Sequence, residues 1–76
     1  MINYDKMLEE LAENVRAIVA SSSYCTIAEF CRAKGLDKSS VARIASGKHA
    51  PTLKSLVEIA NAADVSLAKL MGPEAF

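Results

Sequence analysis

Tryptophan is absent from this 76-residue chain, aromatic residues make up only 5% of it, and it has two cysteines and a single histidine. With hydrophobic residues at 51%, mostly Ala, Leu, Val and Ile, the scarcity of aromatics excludes a β-sandwich and a disordered tail and leaves a small helical domain. Cys25 and Cys31 are too few for a disulfide framework. Six positions apart and with one histidine in the chain, they do not make a zinc site either. Both are expected to be small, buried apolar groups in a reducing compartment. No run approaches the roughly 18 apolar residues of a membrane span, and "MINYDKMLEELAENVR" is too charged for a signal peptide. The expected location is the cytoplasm.

Net charge is missing too: nine basic side chains balance nine acidic ones. The balance conceals a pattern. Residues 1–31 carry two basic and five acidic side chains, and residues 55–76 one and three. Residues 32–54 carry six basic groups (Arg32, Lys34, Lys38, Arg43, Lys48, Lys54) against one acid, Asp37. The middle third is therefore a positive block of +5 between acidic flanks of −3 and −2.

Length allows one domain, residues 1–76, and a domain of this size buries only about 60% of the surface its unfolded chain exposes. Periodicity and caps predict five helices. The first runs from about Tyr4 to Ala20, with Met7, Leu8, Leu11, Val15, Ile18 and Val19 in one apolar stripe, and Ser21 to Ser23 stop it. The second covers about 27–34, with Thr26 and Glu29 as a capping box, Ile27, Phe30 and Cys31 inward, and Gly35 at its end. The third covers about 38–45, with Asp37 as N-cap, Val41 and Ile44 inward, and Lys38, Ser39, Ala42 and Arg43 on the other side. Gly47 ends it and Pro51 bars continuation. The fourth, about 53–63, is capped by Thr52, with Leu53, Leu56, Val57, Ile59 and Ala60 expected in the core. The fifth, about 67–71, is capped by Ser66, anchored by Leu67 and Leu70, and stopped at Gly72–Pro73. Tyr4 and Tyr24 are expected at the edge of the core.

Helices two and three, joined by a tight turn through Gly35, make a helix-turn-helix. Gly35 lets the chain turn sharply, and the small Ala28 permits close helix packing. Val41 and Ile44 pin helix three down. Ser39, Ser40 and Ala42 keep its outer surface low enough to enter a major groove.

From Thr26 to Met71, "TIAEFCRAKGLDKSSVARIASGKHAPTLKSLVEIANAADVSLAKLM" resembles the Cro/cI-type (Xre) helix-turn-helix family of phage and bacterial repressors. The shared features are the turn glycine Gly35, Val41 and Ile44, Gly47 with Lys48, Pro51, and the run "LVEIANAADVSLAKL". The resemblance implies a five-helix, all-α, lambda-repressor-like DNA-binding domain. It implies that Lys38, Ser39, Ala42 and Arg43 read bases, with Lys38 and Arg43 suited to guanine O6 and N7. It places Ser46, Lys48, His49 and Lys54 on phosphates, together with amides at the starts of helices two and four. Two positions depart from the family pattern. Ile27 stands where Gln often bonds a phosphate and helps orient helix three. Ala45 stands where Glu is frequent, and the loss of that acid is expected to leave the binding face more positive.

The expected function is sequence-specific binding of double-stranded DNA by a phage- or prophage-type repressor. It would act as a homodimer on an inverted repeat and block polymerase by occupying the operator. The dimer surface is expected on helix five and the tail (Leu67, Met71, Phe76) or at the other end (Met1, Ile2, Tyr4). The alternative is an antitoxin-like module that binds a toxin or another regulator on the same fold. An enzyme is not expected: the sequence has no catalytic constellation, Gly-rich phosphate loop or metal-ligand cluster, and no cofactor is implied.

Overall fold

Each helix begins where a short side chain with an oxygen can accept a hydrogen bond from an amide that the helix itself leaves unpaired. In the computed structural model, which describes residues 3–72, all five do so. Asn3 accepts from the Lys6 amide, Thr26 from Glu29, Asp37 from Ser40, Thr52 from Ser55, and Ser66 from Lys69. The helices are α1 (Tyr4–Ser21), α2 (Ile27–Lys34), α3 (Lys38–Ala45), α4 (Leu53–Ala63) and α5 (Leu67–Met71), with no strand among the described residues. The boundaries match those read from the sequence, apart from one further residue, Ser21, on α1.

The terminations follow the same logic. Ser22 closes α1 by donating both its amide and its hydroxyl to the Val19 carbonyl. Gly35 takes φ +70 and ψ 30, which lets its own amide and that of Leu36 reach the Cys31 carbonyl. At the end of α4 no glycine is present, and Asp64 adopts the left-handed conformation at φ 55. The capping box of α2 differs in detail: Thr26 accepts from the Glu29 amide, but Glu29 accepts in return from the amide of Cys25, one residue earlier.

The core joins one face of every helix. It contains Leu11, Val15 and Val19 of α1, Phe30 and Cys31 of α2, Val41, Ile44 and Ala45 of α3, Leu56, Ile59 and Ala60 of α4, and Leu70 of α5. α1 is the backing plate, packed against α2, α3 and α5. Tyr24 is half-buried and meets Phe30 edge-on, ring centroids 6.3 Å apart.

Four expected positions differ. Leu53 is 68% exposed and Val57 42% exposed. At 100° per residue, Leu53 and Val57 stand about 20° and 60° beyond Ala60, at the outer edge of the Leu56–Ile59–Ala60 face, where both are left open. Tyr4 is also mostly exposed, because it opens α1 before the helix reaches its neighbours. Cys25 is exposed because it sits in the α1–α2 loop, one residue ahead of the Thr26 cap, whereas Cys31 is buried as expected. Met1, Ile2, Pro73 and Phe76, assigned to the dimer surface or the end of the fifth helix, lie outside the described residues.

Candidate nucleic-acid interface

The eight residues of α3 sort by burial into two faces, with Ser40 half-buried between them. Val41, Ile44 and Ala45 are buried, and Lys38, Ser39, Ala42 and Arg43 are all exposed. The exposed four cover an arc of roughly 140° at 100° per residue. The face is low in the middle, where Ser39 and Ala42 lie, and carries a long cation at each end. Tight anchoring on the opposite side keeps such a helix from rolling. Val41 and Ile44 are 2% and 3% exposed, and α3 packs on both α1 and α2.

Polar contacts fix the two ends of α3. At its start, Asp37 accepts from both the amide (3.3 Å) and the hydroxyl (2.6 Å) of Ser40. The Ser40 hydroxyl bond, aided by the nearby Arg43 charge, holds the Asp37 carboxyl below its ordinary pKa. Ser40 is thus committed to the cap, and the one acid in the basic block is held by its helix. At the end of α3, the Ala45 carbonyl accepts a hydrogen bond from the Arg16 guanidinium of α1, a cation at the negative end of the helix. That contact joins residues 29 apart in sequence, and no local signal announced it.

This geometry also corrects the expectation for position 45. Ala45 is 6% exposed and points into the core. The missing Glu therefore does not change the charge of the outer face. What stands beneath that end of α3 is Arg16, satisfied by a backbone carbonyl. Ile27, the other departure, is half-buried and packs against the core, so it makes no polar positioning contact.

The α3–α4 loop carries the remaining candidates. Gly47 takes φ +74 and lies against α1, where an added Cβ would be 3.5 Å from the Ala12 Cβ. Ser46, Lys48 and His49 are exposed around it, as is Lys54 on the first turn of α4. The Ser46 hydroxyl donates to the Arg43 carbonyl at 2.6 Å, so its proton is already used in ending α3. Between this loop and the helices is a cleft of about 240 Å³ lined by Ser40, Arg43, Ile44, His49, Ala50, Pro51, Thr52 and Ser55. It brings Arg43 and His49 together with the N-terminus of α4. Ser39, Lys38, Lys48 and Lys54 are exposed but do not line it.

Cys31 lies under α2 with its thiol pKa raised, first by burial and then by the Asp37 charge. Among the described residues no group of three His, Cys, Asp or Glu side chains could hold a metal, and no helix is long and apolar enough to cross a membrane.

An exposed, cation-ended helix on a rigid backing, with a basic loop beside it, has the dimensions and charge to enter the major groove of a duplex. A family model described as helix-turn-helix matches residues 22–70, well over half of the chain. Comparison with curated proteins and with solved structures gives no match. The matched span starts at the end of α1 and covers α2, the Gly35 turn, α3, the basic loop, α4 and nearly all of α5. The chain belongs to the Cro/cI-type (Xre) helix-turn-helix family, a family of DNA-binding regulators of transcription.

Proposed function

We propose that this regulator is a repressor of phage or prophage type that binds an inverted-repeat operator as a homodimer, with α3 in the major groove. The single observation that carries the reading is the exposed arc Lys38–Ser39–Ala42–Arg43 on a helix whose other face is buried. Lys38 and Arg43 donate to guanine O6 and N7, Ser39 bonds a base edge or phosphate, and Ala42 touches a thymine methyl. Lys48 and His49 meet phosphates, and the amides at the α4 N-terminus add a further anion contact. Ser46 takes part through the shape it gives the loop, since its hydroxyl is engaged with Arg43. Repression follows from occupancy, because a filled operator excludes polymerase.

The test is operator affinity of the double variant Lys38→Ala/Arg43→Ala at moderate salt. Each lost base contact costs about 1–3 kcal/mol of specific binding, and each lost phosphate contact lowers the salt slope by about one. A double variant that binds as tightly as the wild type sinks the assignment of α3.

An antitoxin-like reading has one observation in its favour. A groove of about 610 Å³ between α1, α2 and the α4–α5 corner is floored by Ile18, Tyr24, Phe30 and Val65, and no α3 residue lines it. A protein that co-purifies in fixed stoichiometry and is lost on Ile18→Lys substitution would support this second role. Retention of that protein by the variant would remove the groove from it.

A further inference from the structure

The geometry points to α4 as the surface on which two copies of this chain meet. They pack antiparallel about a two-fold axis, Leu53 and Val57 of each against those of the second copy, with Lys54 of each facing Glu58 of the other. This deepens the homodimer part of the proposed function and does not depend on which bases α3 reads.

Three observations carry it. The first is where the apolar surface is left over. The large exposed hydrophobics among the described residues are Tyr4, Leu53 and Val57, and the last two are four apart on one helix. They share a stripe. Helix five, by contrast, offers little, since Leu70 is fully buried and Leu67 and Met71 are half-buried against the core.

The second is charge. Lys54 and Glu58 follow Leu53 and Val57 by one residue each, so they run along one flank of the same stripe. Both are exposed, and neither makes an ion pair within the chain among the described residues. A two-fold axis perpendicular to α4 reverses the helix direction and keeps the flank. It therefore sets Lys54 over Glu58 of the second copy and Glu58 over its Lys54, so the surface complements itself, as an isologous contact requires.

The third is placement. Ser55 lines the cleft shared with Ser40 and Arg43 of α3, and two residues of helix turn separate it from the Leu53–Val57 flank. α4 thus stands between α3 and the second copy. The order α3, α4, α4 of the second copy and its α3 involves three interhelix steps of about 8–10 Å each. That separates the two α3 helices by roughly 24–30 Å, approaching the ~34 Å between major grooves on one side of a duplex. The patch is small beside the roughly 800 Å² per partner of a stable interface, so the contact is weak without DNA and the operator completes it.

The experiment is sedimentation equilibrium of the full chain without DNA, up to millimolar concentration and at low salt, with far-UV circular dichroism confirming the fold of each variant. The wild type associates to a dimer. Lys54→Glu alone and Glu58→Lys alone each set like charges across the axis twice, and each raises the dissociation constant about tenfold at low salt, the cumulative effect of two partly exposed pairs. Mixed in equal amounts, the two variants restore opposite charges at both contacts, so the mixture dimerises as strongly as the wild type. Leu53→Asp abolishes association. A mixture no stronger than its separate components, or association untouched by Leu53→Asp, overturns the proposal, as does a wild type that stays monomeric at millimolar concentration. With no DNA in the cell, these results leave the α3 assignment untouched, and failed operator binding would leave this contact standing.

Discussion

Replacement of Gly35 by alanine isolates the backbone cost of the turn that aims α3. Gly35 sits at φ +70 and ψ 30, and a Cβ built there meets nothing within 4 Å. No clash contributes, so the whole penalty is that of holding an L-residue in the left-handed region, about 1–2 kcal/mol. Alanine also stiffens the unfolded chain, which returns about 0.4–1 kcal/mol. The net loss for Gly35→Ala is therefore about 1 kcal/mol, a fall in melting temperature of roughly 4–8 °C for a domain of this length. Asparagine tolerates the left-handed region better and should lose less. D-alanine, introduced by chemical synthesis of the chain, prefers positive φ and keeps the entropic gain, so it should raise the melting temperature. Thermal and urea unfolding followed by circular dichroism read all three. A D-alanine variant as unstable as the L-alanine one, or an L-alanine variant as stable as the wild type, would refute the argument, because either result means that φ does not set the cost.

Other consequences follow from particular contacts. Arg16→Ala removes the guanidinium from the Ala45 carbonyl and should cost about 1–2 kcal/mol in urea unfolding, with the loss concentrated in hydrogen exchange of the last turn of α3. The folded-state pKa of Asp37 is depressed, so the stability it lends α3 is present above its unfolded value and disappears as pH falls through the lower folded value. Asp37→Asn should flatten the acid limb of the stability curve, and an unchanged limb would show that the cap is not charge-assisted. Cys25 is exposed and Cys31 is buried with a raised pKa, so a thiol reagent near neutral pH should modify one thiol in the native protein and the second only on unfolding. Rapid modification of both would contradict the packing of α2.

The helices were legible because their signals are local. Thr26, Asp37, Thr52 and Ser66 each stand immediately before a periodic apolar run, and each caps the helix expected of it. The two sides of α3 were legible for the same reason: Val41 and Ile44 fix the buried face, and the residues between them have to turn outward. Leu53 and Val57 were misplaced because a stripe at positions 53, 56, 57 and 60 fits helical spacing well, while its width depends on what lies opposite. α3 and α5 cover only the Leu56–Ile59–Ala60 side. Position 45 was assigned to the outer face by family resemblance, although the helical wheel already sets it beside Val41. The Arg16 contact and the cleft joining Arg43 to His49 arise from the packing of distant segments, and no local sequence pattern encodes them.

Selection of bound sequences from a pool of random DNA duplexes tests the central claim most directly. The account predicts enrichment of an inverted repeat whose half-site centres lie about one helical turn, or a multiple of it, apart. It also predicts that Arg43→Ala relaxes the preference at one position in each half-site. Folded protein that enriches no sequence over the starting pool would contradict it.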